Sequence, residues 1–222
     1  MTEKEEGTEQ LAVWETTYAK SRDFFGAEPS SLGNAALNLF QKEGVKDVLE
    51  LGCGQGRDTW LFVRNGLKVI AMDYSRSGIC QMREAAKQEE MPGSIRLVVH
   101  DARDGLPLPN NSVDAIYSHM FFTMELWEHE IAHILQECWR VLKPGGLNVY
   151  SVRNDHDPHY GKFRYLGEDM WQNPMGYVVQ FFTEKKIKRL AEGYHLELIE
   201  EFVEDTPPFP KKLYQVVLRK PH

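Results

Sequence analysis

The chain has 222 residues, a length that favours one globular unit or at most two small ones and is enough to bury a core without staples. Apolar residues at 42% and aromatics at 11% exclude disorder and low complexity. A net charge of −7 gives no general attraction for nucleic-acid phosphates or anionic lipid, and Cys53, Cys80 and Cys138 are too few and too scattered for a disulfide framework or a four-cysteine zinc site.

The first ten residues, MTEKEEGTEQ, are charged and expected to fray, and they hold no apolar core for a signal peptide. No run approaches 18 apolar residues, so a cytoplasmic chain with neither a membrane nor a nucleic-acid partner is expected. Leu11, Trp14 and Tyr18 fall at helical spacing between Gln10 and Lys20, and Ser30 or Ser31 is placed to cap a second helix reaching Lys42. Beyond Gly44 the pattern alternates. Runs rich in β-branched residues at Val48–Leu51, Lys68–Met72, Ile95–Val99, Val113–Tyr117 and Leu147–Val152 read as strands. Helical patterns over Arg57–Asn65, Arg76–Glu89 and Trp127–Leu142 separate several of them, which implies βαβ units and a mainly parallel sheet. Residues 153–182 form a long segment rich in Tyr, Phe, Trp, Gly and Pro, and segments of that length often act as lids; a local minicore is the alternative. A helix near Thr183–Glu192 precedes two strand-like runs, His195–Val203 and Leu213–Leu218, joined by Thr206-Pro207-Pro208-Phe209-Pro210. With no helix between them, these two runs suggest an antiparallel hairpin at the sheet edge.

The segment Val48-Leu49-Glu50-Leu51-Gly52-Cys53-Gly54-Gln55-Gly56-Arg57-Asp58 lies where the first strand turns into a helix. Glycines there permit a tight turn and a close approach of ligand to backbone. The dinucleotide fingerprint wants its third glycine where Arg57 stands, and no Gly-Lys-Ser/Thr is present. The spacing therefore points to a nucleoside-like ligand other than NAD or ATP, with a ligand-free turn as the plain alternative.

From Lys46 to Val152 the succession of motifs resembles the class I S-adenosylmethionine-dependent methyltransferases. Leu49-Glu50-Leu51-Gly52-Cys53-Gly54-Gln55-Gly56 looks like that family's first motif, and Asp73, Asp101, Asp114 and Leu142-Lys143-Pro144-Gly145-Gly146 follow in the family's order. The resemblance implies a Rossmann-like, doubly wound α/β fold with a mainly parallel seven-stranded sheet and an antiparallel C-terminal hairpin. It implies one domain over residues 1–222: helices over the cofactor (1–45), a cofactor-binding core (46–152), a lid-like insertion (153–182), and a C-terminal helix and hairpin (183–222). It also implies S-adenosylmethionine as cofactor, bordered by Gly52, Cys53, Gly54 and Gly56. Asp73, beside Tyr74 and Ser75, would accept the ribose hydroxyl protons. Asp101 would receive the adenine amino group, with Ala102 alongside and Ser118 at the end of the fourth strand. Glu50 needs a polar partner inside an apolar strand, and it and Arg57 are candidates for the methionine end. Tyr18, with Trp14, looks like an aromatic pair that closes over the cofactor.

The acceptor edge implied by the resemblance is Ser118-His119-Met120-Phe121-Phe122. His119 is the candidate general base, with a structural histidine as the alternative. Phe122, Tyr160 and Arg164 are candidate substrate contacts, and Phe163, Tyr165 and Trp171 would extend an aromatic roof. The Asn/Asp-Pro-Pro-aromatic tetrapeptide of amino methyltransferases is missing, as are the paired cysteines of C5-cytosine enzymes. The expected reaction is methyl transfer to a small molecule, similar to the quinone-biosynthesis and tellurite/thiol groups. Methylation of protein or RNA, or cofactor binding without catalysis, are the alternatives. Two further motifs carry no metal in this reading. His129-Glu130-Ile131-Ala132-His133 fits H-E-x-x-H, but Ile131, Ile134, Leu135, Cys138 and Leu142 put the core on the opposite side of that helix. His156 and His159 sit in a proline-containing loop and read as surface residues.

Overall fold

The computed structural model of the chain describes residues 3–88, 93–205 and 210–222. In chain order the elements are α1 (Glu3–Lys20), α2 (Ser31–Glu43), β1 (Asp47–Leu51), α3 (Arg57–Arg64), β2 (Lys68–Asp73), α4 (Arg76–Gln88), β3 (Ile95–Val99) and β4 (Val113–His119). They continue with α5 (Glu128–Val141), β5 (Leu142–Asn154), β6 (Arg164–Gly167), β7 (Met170–Gln172), β8 (Val178–Phe182), α6 (Glu184–Leu190), β9 (His195–Glu204) and β10 (Lys211–Arg219).

Seven strands form the main sheet in the order β3-β2-β1-β4-β5-β10-β9, with β1 to β5 parallel and β10 and β9 antiparallel. This is the Rossmann-like doubly wound sheet with its antiparallel C-terminal hairpin. Of the expected joining segment, Thr206 to Phe209 lie outside the described residues. Helices cover both faces, so β1 is apolar at successive positions rather than at alternate ones. Val48 faces one core with Phe40, Phe62 and Ala71, while Leu49 and Leu51 face the other with Ile116, Leu135 and Cys138. Ser30 is the residue that caps α2, its Oγ accepting the Gly33 N–H at 2.8 Å, and Gly44 ends that helix with φ 70°.

Three departures from the sequence pattern have physical causes. α1 begins at Glu3, so residues 3–10 of the charged start are helical rather than frayed. The Lys143–Gly146 turn is a bulge inside β5: Val113 pairs with Leu142 and Ala115 with Leu147, which leaves the four residues looped out with Gly145 at φ 78°. Residues 153–182 carry a small sheet, in which β8 runs parallel to the end of β5 and β7 and β6 add antiparallel strands. Two of these strands have three and four residues, too short for any periodicity to register. Among the described residues no helix is long and apolar enough to cross a membrane.

Candidate active site

A cavity of about 630 Å³ opens over the carboxyl ends of the parallel strands. It lies where β1 separates β2 from β4, the point at which strand order reverses and open α/β sheets bind ligands. Its volume is within the range of about 300–1,000 Å³ that encloses small molecules.

One half is built by the glycine loop and β2. The Gly52 and Cys53 N–H groups donate to the Met72 carbonyl at 2.8 and 3.1 Å, and the Gly54 N–H donates to Asp73 Oδ2 at 2.8 Å. The Ser75 N–H donates to Asp73 Oδ1 at 2.8 Å. The Tyr74 N–H also acts on this carboxylate, which still has room for a further donor. Burial, opposed by these amides, raises the Asp73 carboxyl to about 6. Gly54 has φ 54°, and a Cβ there would lie 2.8 Å from the Tyr18 hydroxyl. Only glycine lets Tyr18 close down on the loop.

Glu50, buried in β1, has the partner its position demands: Thr59 Oγ1 donates to Oε2 from the first turn of α3. Burial, then the neighbouring Asp58 charge, pushes the Glu50 carboxyl well above its ordinary range. Burial would also raise Asp101, but the Arg103 guanidinium, donating to both carboxylate oxygens, outweighs it and holds Asp101 below its ordinary value. Asp58 accepts from the Ser30 N–H at 2.7 Å, Ser30 Oγ at 2.8 Å and the Tyr117 hydroxyl at 2.6 Å, so it ties α2 and β4 to α3.

The structure brings Tyr18, Glu50, Gly52, Cys53, Gly54, Arg57, Asp73, Tyr74, Asp101, Ala102 and His119 to the cavity wall. Six other expected residues are not on it. Gly56 caps α3 against Met82 and Trp60, and Ser75 caps α4, its Oγ accepting the Gly78 N–H. Ser118 is fully buried within β4. Phe122 packs in the core against Tyr150, and Phe121 takes its place on the wall, because the chain reverses at Met120 with φ 57°. Tyr160 stacks edge-on outside Trp171, and Arg164 is exposed, 3.5 Å from Gln172 Oε1. Of the expected roof, Phe163 and Trp171 line the cavity, and Tyr165 stays in solvent.

His119 has both ring nitrogens engaged. Nδ1 lies 2.8 Å from Ser151 Oγ, and Nε2 lies 2.7 Å from a Glu204 carboxylate oxygen. At that separation a proton must lie between Nε2 and the carboxylate, because two lone pairs would repel. These two contacts hold the ring in place beside the cavity. Beyond it stand Arg153, whose Nε and Nη2 both donate to Asp157, and His159, whose Nδ1 is 3.2 Å from Arg153 Nη2. His159 therefore lines the cavity and is no surface residue; burial, then Arg153, lowers its pKa. His156 is exposed and pairs with Glu201. His129 and His133 are exposed on α5, and Glu130 turns back to accept the Trp127 N–H at 2.8 Å.

Several wall residues escape sequence reasoning. Gln10 accepts the Val178 N–H at 2.8 Å, and Thr17 Oγ1 meets the Tyr177 hydroxyl at 2.7 Å, so α1 and the small sheet join over the cavity. Nothing local in the sequence marks these pairs. Gln55 bridges the Ser21 carbonyl and Gln81 and accepts the Phe24 N–H. Arg103, two residues after Asp101, was the findable one.

Residues 48–146 match a family described as "Methyltransferase domain". Over that stretch the chain is similar to S-adenosylmethionine-dependent methyltransferases. A "Probable S-adenosylmethionine-dependent methyltransferase" of Mycolicibacterium smegmatis is 32% identical over 109 residues, 49% of this chain and 38% of that protein. A malonyl-[acyl-carrier protein] O-methyltransferase of Serratia marcescens is 26% identical over 187 residues, 82% of this chain and 66% of its own length. The chain thus spans less than two thirds of either relative. In fold, the methyltransferase domain and its flanks are similar to a Burkholderia thailandensis 1,6-didemethyltoxoflavin-N1-methyltransferase with bound S-adenosylhomocysteine. That likeness has a TM-score of 0.75 at 17% identity and covers 100% of this chain and 92% of that one. The cavity fits such a cofactor on its own evidence: a buried carboxylate with room for a further donor at Asp73, a second buried carboxylate at Glu50, and a glycine loop that a Cβ would block.

Proposed function

We propose that this chain transfers a methyl group from S-adenosylmethionine to a small-molecule acceptor by in-line displacement. The observation that carries the reading is one roofed cavity whose two halves differ: the glycine loop, Glu50 and Asp73 line one, and His119, Arg153 and His159 line the other. The cofactor, when bound, supplies a methyl group on a positively charged sulfur. Asp73 is suited to accept the ribose hydroxyls, Asp101 with Arg103 to border the adenine, and Glu50 to face the ammonium. Trp14, Tyr18 and Tyr177 exclude water from above, with Trp14 and Tyr177 rings 5.2 Å apart. Orientation of this kind can account for roughly 7–11 kcal/mol of barrier. With both nitrogens of His119 engaged, the arrangement relies on alignment and desolvation, which suits an acceptor atom that has no proton to lose.

The test is turnover of labelled S-adenosylmethionine against thiols, phenols, carboxylic acids and amines, beside tRNA and a protein extract. Transfer to a small molecule is expected; label incorporated only into RNA or protein would overturn the acceptor class.

A further inference from the structure

The two halves of the cavity differ in charge. Around the ends of β1, β2 and β3 the wall carries Glu50, Asp58, Asp73 and Asp101, of which Asp101 is paired with Arg103, leaving net acidic character that suits a cation. Around the ends of β5 and the start of β10 it carries Arg57, Arg153 and Lys211. Lys211 reaches this place through topology: β10 runs antiparallel to β5, pairing Leu213 with Arg153, so its first residue lies at the carboxyl edge of the parallel strands.

The three cations are not equivalent. Arg153 is held by Asp157. Arg57 Nη1 donates to the Phe25 carbonyl at 3.2 Å, and its Nη2 lies 3.5 Å from Glu204. The Glu204 carboxylate is shared with His119 at 2.7 Å. Lys211, half-buried, makes no side-chain hydrogen bond and no ion pair with another described residue. Burial lowers its pKa, Glu204 acts against that, and the Arg153 and Arg57 charges add to the lowering. An ammonium that faces the cavity half-buried, with no close carboxylate contact among the described residues, is a ready donor for a ligand anion. An ammonium is also a compact charge with three donors that can follow a carboxylate or a phosphate.

Resting on the methyl-transfer reading, we propose that the acceptor is an anion, and that Lys211 is the residue that binds its carboxylate or phosphate group, flanked by Arg57 and Arg153. The acceptor then enters the basic half as the cationic cofactor occupies the acidic half, and the two charges draw together along the line of transfer. Where that anionic group is itself the atom methylated, it has no proton to lose and needs no base.

The probes are benzoate and phenyl phosphate, each titrated by calorimetry into the protein loaded with S-adenosylhomocysteine, with benzamide as the neutral match. Binding of one anion and not of benzamide is expected, and the tighter anion separates a carboxylate from a phosphate acceptor. Lys211→Met should weaken that binding about tenfold or more, the loss of one charge-assisted contact, while Lys211→Arg retains it. Affinity for S-adenosylhomocysteine should stay within about twofold in both variants, since Lys211 lies outside the half that faces the nucleoside. Melting curves check folding, and Lys211→Gln replaces the methionine variant if that one fails to fold. Equal affinity for benzamide, no anion binding in the loaded protein, or undiminished anion binding in a folded Lys211→Met overturns the proposal. Failure of the wild type to bind S-adenosylhomocysteine overturns the methyl-transfer reading instead.

Discussion

The two halves of the cavity are assembled over very different distances along the chain. In the nucleoside half, Gly54 and Asp73 are 19 positions apart, and the loop, the strand end and Ser75 form one continuous turn system. In the acceptor half, His119 meets Ser151 across 32 positions, and the roof joins Gln10 to Val178 across 168. Local construction leaves a motif. Distant construction leaves only residues whose purpose appears when strands pair, and that half is where one catalytic fold accommodates a new substrate.

The largest expected effect lies in the local half. Asp73→Ala should weaken S-adenosylmethionine binding by about 1.5–3 kcal/mol, or roughly 10–150-fold, measured by calorimetry. An unchanged affinity would mean that the nucleoside half is not where the cofactor sits. His119→Ala sharpens the contrast. A histidine held between Ser151 and Glu204 should cost less than about a hundredfold in turnover, against 10²–10⁴ for a general base. Its removal should lower the melting temperature by several degrees, at about 2–4 °C per kcal/mol. A larger kinetic loss, together with loss of an ascending limb in the pH profile, would restore it as the base.

The third prediction uses the Asp73 carboxyl, raised to about 6 from its ordinary 3.8. The ribose hydroxyls prefer the ionised form, so cofactor affinity should be level above pH 7. It should fall by up to about tenfold per unit below about pH 6. The sign for folding is opposite. The folded chain holds this proton more tightly than the unfolded chain, so this one group favours folding at low pH and loses that contribution as pH rises through 6. Affinity that stays flat down to pH 5 would contradict the assignment. The smallest effect belongs to the roof: Thr17→Val removes the contact with Tyr177 and should speed cofactor release about fivefold, near 1 kcal/mol, in a stopped-flow chase.

The same contrast explains what the sequence made legible. The alternating apolar runs point to a mainly parallel sheet with a C-terminal hairpin, and the glycine spacing points to a nucleoside-like ligand. The small sheet escaped because β6 and β7 are too short to carry a period. Phe122, Tyr160 and Arg164 were misplaced for a related reason. A segment can be recognised as the acceptor edge from composition, but which of its side chains turn inward depends on the reversal at Met120 and on strand pairing. Lys211 and Glu204 lie on facing strands of an antiparallel hairpin, paired with each other, and nothing in either residue's neighbours marks that meeting.

The Gln10–Val178 hydrogen bond also bears on how the protein is made. α1 leaves the ribosome before its partner, which follows 168 residues later. At about 5–20 residues per second that interval is roughly ten to thirty seconds. Through it, Trp14 waits without Tyr177, and the sheet can form beneath a site that is still open. A nascent chain halted before β8 would display the complete glycine loop and Asp73 with half a roof. The floor of the cavity is an early product of synthesis and its closure a late one.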